Sequence, residues 1–285
     1  MKNPNTAQLC IFADAHNTPW FHQCLQRASQ FSETQIISLG DIAAVDTKEF
    51  LQQQERYHLT WKYKKGKIKA GVTQKDVTWF DNLNKRGWKK QMIELDNFQS
   101  IIHMCQGNTD HAYLTWYNPS ISKNLFIFSS ITLTYYGKQA VLYLPYASGI
   151  ISDQQVKEIP TDKILILSHC PPLPATKKDY YTELYENLKK ISKHTKKIIF
   201  IHGHMHADNT YTYTLEDLPS VTICIPKATD SKEGMGSYHH LILFDTNNFT
   251  FTVKDLNRNT MQPNDLPREY YQLDEHWNQF KKNKI

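Results

Sequence analysis

The residues best able to do chemistry sit in five short groups. Asp14 and His16 frame the first, and Asp41 follows Gly40 in the second. Asn108, Thr109, Asp110 and His111 follow Gly107, His169 precedes Cys170 and Pro171, and His202, His204 and His206 share one short stretch. Carboxylates, imidazoles and a carboxamide oxygen make a mixed oxygen and nitrogen set, which suits Mn, Fe, Co, Ni or Zn better than Ca or Mg. An Asn oxygen adds a ligand without adding charge, so Asp14 and Asp41 would only partly neutralise bound divalent ions.

The elements that must position these groups read as short apolar strands with helices between them. Gln8 to Ala13 is a buried strand ending at Asp14, Gln35 to Leu39 ends at Gly40-Asp41, and Ser100 to Cys105 ends before Gly107. Lys163 to Leu167 ends at His169, where Pro171 and Pro172 force the chain out of regular structure, and Lys197 to Ile201 ends at the His cluster. An extended backbone would put Asp14 and His16 on one side, and likewise His204 and His206, with Met205 turned inward. Helices are expected from Pro19 to about Phe31, over Thr47 to Leu59 and Lys89 to Phe98, at Ser152 to Glu158 and over Tyr180 to His194. Leu125 to Tyr135 and Gln139 to Tyr146 read as a hairpin around Gly137. Val221 to Ile225, Tyr238 to Phe244 and Phe249 to Val253 read as antiparallel strands, and a charged, aromatic tail from about Pro263 is expected to end in a helix.

Strand and helix alternate through the first half, which implies a parallel, α/β core. Open α/β sheets bind ligands outside the carboxyl ends of their strands. A carboxylate at one strand end is unremarkable. Five strand ends carrying Asp, His or Asn, several beside Gly or Pro, point to one metal-binding crevice formed by the strands of a sheet.

Composition sets the frame. At 285 residues, the chain is expected to be a single domain. Lys and Arg number 33 against 28 Asp and Glu, a net charge of +5 that favours anionic substrates only weakly. The five cysteines form no CxxC pair and are odd in number, which fits reduced, buried thiols. The apolar run after the N-terminus is too short for a signal sequence, and no stretch reaches the ~18 to 20 apolar residues of a membrane span. A soluble, cytoplasmic protein is expected; the sequence leaves the oligomeric state open.

The ordered motifs Asp14-x-His16, Gly40-Asp41, Gly107-Asn108-x-Asp110, His169 and Gly203-His204-x-His206 resemble those of the calcineurin-like metallophosphoesterase superfamily. The resemblance implies a four-layer αββα sandwich of two mixed β-sheets flanked by helices, and a two-metal site. The first metal would take Asp14, His16 and His206, the second Asn108, His169 and His204, with Asp41 bridging. Mn is the first candidate among Mn, Fe, Zn, Co and Ni. Two such ions ~3.5 to 4 Å apart clamp both ends of an in-line displacement, with a bridging hydroxide attacking phosphorus.

Asp41, Asn108, Thr109, Asp110 and His111 are the candidate catalytic residues, with Asp110 expected as a hydrogen-bond partner behind the ligands rather than a ligand itself. Many superfamily members carry a His where this chain has Thr109. A neutral hydroxyl there points to phosphodiesters, with His111 as a substitute proton donor. The stretch between Asp41 and Asn108 is longer than in compact members and reads as a cap insertion at about 46–98. Phosphomonoesters, phosphoproteins, nucleotides and nucleic acids are the alternative substrates, and a non-catalytic protein-binding scaffold is the alternative of another class. Lys62 to Lys69 with Trp61, Tyr63, Trp79 and Trp88 reads as a solvated loop and core or cap packing, or as a base-stacking surface. His202 is expected to support its turn, Asn17 to serve in a turn or meet phosphate, and Cys170 to be a buried structural thiol.

Overall fold

The computed structural model describes residues 8–15, 18–31, 34–42, 47–98, 100–111, 123–173, 179–205, 207, 209–228, 239–255, 260–261, 269–273 and 280–284. In chain order, β1 (Gln8–Phe12), α1 (Thr18–Ala28) and β2 (Thr34–Ser38) form a parallel β-α-β unit. Three helices follow: α2 (Thr47–Gln52), α3 (Gln54–Lys64) and α4 (Gln74–Asp96). Next come β3 (Ile102–Cys105), β4 (Leu125–Phe128), β5 (Thr132–Tyr136) and β6 (Gln139–Leu144). Then α5 (Asp153–Glu158), β7 (Lys163–Ser168), α6 (Asp179–Ser192) and β8 (Lys197–His202) alternate. The remaining strands are β9 (Tyr211–Leu215), β10 (Leu218–Ile225), β11 (His240–Asp245), β12 (Thr250–Asp255), β13 (Thr260–Met261), β14 (Glu269–Leu273) and β15 (Phe280–Lys284).

Two mixed sheets result. The first has the order β13-β12-β11-β1-β2-β3-β4, the second β5-β6-β7-β8-β10-β9. Strands β1 to β4 run parallel, as do β6, β7, β8 and β10. Side chains alternate across a strand, so each sheet has two apolar faces to cover. Leu9 and Ile11 of β1 join Leu165, Leu167, Ile199 and Ile201 in a core between the sheets. Cys10 and Phe12 turn the other way, against Phe21, Cys24 and Leu25 of α1 and Trp88, Met92 and Leu95 of α4. On the far side, Ile164, Ile166, Ile198 and Phe200 pack on Leu184, Leu188 and Ile191 of α6. The architecture is the expected αββα sandwich.

Four local expectations are corrected. The run from Leu125 to Tyr135 is not one hairpin arm: Ser129 and Ser130 interrupt it, and β4 joins the first sheet while β5 pairs with β6 in the second. Asp14 and His204 have φ of 52° and 70°, so the backbone is left-handed there and simple strand alternation does not apply. Met205 is half-buried rather than a core spacer. The tail carries the antiparallel pair β14–β15 instead of a helix, in keeping with the strand preference of Tyr270 and Tyr271.

Between β2 and β3, the C-terminal half of α4 belongs to the layer covering the first sheet, through Trp88, Met92 and Leu95. Its N-terminal half joins α3. Tyr57 stacks on Phe80 at 4.6 Å and donates to Asn84 Oδ1 at 2.9 Å. Thr73 caps α4 in a reciprocal box with Asp76.

Candidate metal centre

The carboxyl ends of β1, β2 and β3 come from the first sheet and those of β7 and β8 from the second. The crevice is therefore shared between two sheets. The first-sheet loops are knitted by one buried carboxylate. Asp110 accepts hydrogen bonds from the backbone N–H of Asp41 (2.6 Å), Ile42 (3.1 Å) and Gly107 (3.0 Å). This close approach needs glycine. A Cβ on Gly107 would lie 2.3 Å from Asp41 Oδ1 and 3.0 Å from His169 Nδ1. Gly40, at φ 93°, would put a Cβ 2.5 Å from the Gly107 nitrogen. Asp41 itself sits at φ 51°, which holds its carboxylate over the strand ends.

Thr109 grips that carboxylate twice, with its N–H to Oδ1 at 2.8 Å and its hydroxyl to Oδ2 at 3.0 Å. Across the crevice, His169 is fully buried at the end of β7. Its Nδ1 lies 2.9 Å from the Leu39 carbonyl, which only accepts, so Nδ1 carries a proton and donates. In the neutral ring, Nε2 then holds a lone pair. That nitrogen faces Asn108 Oδ1 at 2.9 Å, His204 Nδ1 at 3.1 Å and Asp41 Oδ2 at 3.5 Å. Two of these neighbours are oxygens that accept. Lone pairs directed at one another are a poor arrangement by themselves and a good one around a cation.

The second-sheet turn is tied to the first sheet in the same way. The backbone N–H of His204 donates to both Asp14 oxygens, at 3.0 and 2.8 Å. His204 Nε2 lies 2.7 Å from the hydroxyl of Tyr181, leaving Nδ1 toward His169. Ligand-type atoms of Asp14, Asp41 and His169 all lie within 4.8 Å of one another, as do those of His169, Cys170 and His204. His202 turns away: it is buried, with Nε2 3.1 Å from the Tyr213 hydroxyl.

Burial dominates the electrostatics. It pushes the Asp14 carboxyl well above the usual range, and the nearby charge of Asp41 adds to this, against the His204 N–H. Burial also pushes His202 down to about 4. Two carboxylates this close, both nearly inaccessible, are costly unless positive charge lies between them. The residues present fit a divalent cation.

Five of the expected ligands are thus brought together: Asp14, Asp41, Asn108, His169 and His204. His16 and His206 lie outside the described residues, as does Asn17. Thr109 and Asp110 hold Asp41 and its loop. His111 is exposed, with Nδ1 3.3 Å from Gln106 Nε2. Sequence reasoning missed Tyr181, which no motif marks, and gave Cys170 no place beside the ligands. All five cysteines are buried and in no disulfide. The tryptophans of the helical segment are engaged. Trp88 is core, Trp79 donates to Glu49 at 2.6 Å beneath Arg56, and Trp61 lies under Lys67.

No family model matches the sequence, and no curated protein does either. Solved structures do match. One aligns with a TM-score of 0.50 at 10% identity, over 88% of this chain and 99% of its own. A novel archaeal phosphodiesterase aligns at 0.42 and 11% identity, over 87% of this chain and 99% of its own. The calcineurin-like phosphoesterase YfkN from Bacillus subtilis aligns at 0.40 and 10% identity, over 90% and 93%. The match at a TM-score of 0.50 shows a shared fold, here two mixed sheets flanked by helices. At such identities the likeness concerns the fold alone. Among the described residues, no helix is long and apolar enough to cross a membrane.

Proposed function

We propose that this chain is a metal-dependent phosphoesterase with a dinuclear site, acting on diesters in preference to monoesters. One observation carries the reading: His169 Nε2 faces the acceptor oxygens of Asn108 and Asp41 at 2.9 and 3.5 Å inside a buried crevice. An imidazolium could answer the same contacts, so metal content is the deciding measurement. Asp14, His16 and His206 would hold one ion, Asn108, His169 and His204 the other, and Asp41 both, with Mn the first candidate. Bound there, the ions supply Lewis acidity at phosphorus and a more acidic water.

The chain's own residues set the geometry. The Leu39 carbonyl fixes the His169 tautomer, and Asp110 locks the Asp41 and Gly107 loops together. Thr109 spends both its donors on Asp41, so it offers no cation to a monoester dianion. That favours the singly charged diester. His111 stands at the rim as the candidate donor to the leaving oxygen. The buried thiols, in no disulfide, suit a reducing, cytoplasmic setting. The engaged tryptophans weigh against a base-stacking nucleic-acid surface on the helical segment, and the converging ligands weigh against a non-catalytic scaffold.

Purification with Mn²⁺, metal analysis, and assays with bis-p-nitrophenyl phosphate and p-nitrophenyl phosphate test this. The expected outcome is stoichiometric metal and faster diester cleavage, both lost in Asp41→Ala and His204→Ala. Metal-independent hydrolysis, or hydrolysis unaffected by both changes, overturns the mechanism. Faster monoester cleavage overturns the preference.

A further inference from the structure

A continuous strip of aromatic rings leaves the metal centre along one side. From His204, ring centroids run 5.9 Å to Tyr181, 4.2 Å on to Tyr180, 4.7 Å on to Tyr146 and 5.7 Å on to His111. From Tyr181 outward exposure rises: Tyr181 is buried, Tyr180 and Tyr146 are half-buried, and His111 is exposed. The rings come from four separate places, the end of β8, the first turn of α6, the end of β6 and the loop after β3. All belong to the ligand-bearing end of the sandwich.

The strip is built onto the same loop as the ligand Asn108. The Gln106 carbonyl accepts from the backbone N–H of Tyr146 at 3.0 Å, and its side-chain amide meets His111 Nδ1 at 3.3 Å. One buried residue, two positions before Asn108, therefore sets both outer rings relative to the centre. Ala147, next to Tyr146, is held at φ 54°. The Tyr181 hydroxyl reaches His204 Nε2 at 2.7 Å. The three tyrosines carry no formal charge, so their stretch of the strip presents neutral ring surface.

We propose that this strip binds one organic substituent of the phosphate ester, and that the substituent is a flat aromatic group, a nucleobase or an aryl ring. The inference rests on the phosphoesterase reading and adds the substrate class. A phosphate at the metal centre places its ester group against the adjoining wall. A neutral wall of ring faces and edges suits a neutral planar ring, stacked or edge-on. Its three tyrosines give a second phosphate no cation to bind, and they give a short alkyl group little area.

The test uses full-length protein with Mn²⁺ and two probes sharing one head group, phenylphosphonate and methylphosphonate, with binding measured by calorimetry. Phenylphosphonate is expected to bind about tenfold more tightly, the size of one aromatic stacking contact. The preference should fall to near unity in Tyr146→Leu, survive in Tyr146→Phe, and be unchanged in Tyr135→Leu, an exposed tyrosine on β5. Equal affinities in the unaltered protein overturn the proposal, as does a preference that Tyr146→Leu leaves intact. Tighter binding of phosphocholine than of phenyl phosphate, with the preference lost in Tyr146→Leu, overturns the aromatic assignment in favour of a cation on the same rings. Failure of both phosphonates to bind metal-loaded protein, together with no hydrolysis of bis-p-nitrophenyl phosphate, is a different result, because it removes the phosphoesterase reading itself.

Discussion

The candidate metal centre and the helical segment of α2, α3 and the first half of α4 solve opposite problems. At the centre, carboxylates and imidazoles are buried, three of the proposed ligands sit in left-handed backbone, and loops touch at glycine. In the helical segment, charges stay near water. Arg56 meets Asp76 at 2.8 Å, Lys64 meets Asp81 and Arg86 meets Glu49, all partly exposed. Such solvent-screened pairs add little to stability. The first region holds a costly arrangement that only a ligand rewards. The second is ordinary helix packing that no ligand needs to justify.

The contrast can be broken most directly at Gly107. Gly107→Ala puts a methyl 2.3 Å from Asp41 Oδ1 and should cost more than about 3 kcal/mol, read as a fall in the denaturation midpoint with loss of bound metal. A variant as stable as the parent would mean that the two loops do not meet as described.

The next effect should change sign with metal. Folding raises the Asp14 pKa, so the folded state binds more protons than the unfolded one as pH passes above the unfolded value near 3.8. The metal-free protein therefore loses stability through Asp14 as pH rises. In chelator at pH 7.5, Asp14→Asn should be more stable than the parent, and the gap should close on acidification. With Mn²⁺ the order should reverse, because the variant has lost a ligand. Denaturant titrations under both conditions decide it; the same order with and without metal would contradict the assignment.

A smaller change is expected from Tyr181→Phe. It keeps the buried ring and removes the hydroxyl 2.7 Å from His204 Nε2. Loss of such an outer partner typically weakens metal binding by about 10 to 100-fold. Metal competition with a chromophoric chelator measures it, and an unchanged affinity would make Tyr181 a packing residue. At the far end of the scale, Thr73→Ala removes the capping box of α4 and should cost about 1 kcal/mol, with metal affinity and turnover unchanged. A loss of activity there would join the two regions functionally and dissolve the contrast.

Much of the centre was legible before any coordinates. Asp41, Asn108, His169 and His204 each follow an apolar strand, and parallel strands deliver their ends to one side. The two-residue spacing was a poorer guide. It assumed extended backbone, and Asp14 and His204 are left-handed because their loops close across to the opposite sheet. The break at Ser129–Ser130 was hidden because residues on both sides favour strands equally, and only the sandwich assigns them to different sheets. Tyr181 and Tyr146 were invisible for a similar reason. In sequence they are apolar-face and strand-end aromatics; their roles arise where α6, β6 and the Gln106 loop meet.

The strand order carries a consequence for synthesis. β1 lies between β2 and β11, so the strand that leads to Asp14 gains its second neighbour only when residues 240–245 arrive. His239, just before β11, reaches the Asp14 carbonyl at 3.4 Å. A nascent chain can therefore hold every proposed ligand outside the ribosome and still lack the flank that steadies the first of them. Metal capture should lag translation of the ligands by a few dozen residues and coincide with closure of the first sheet.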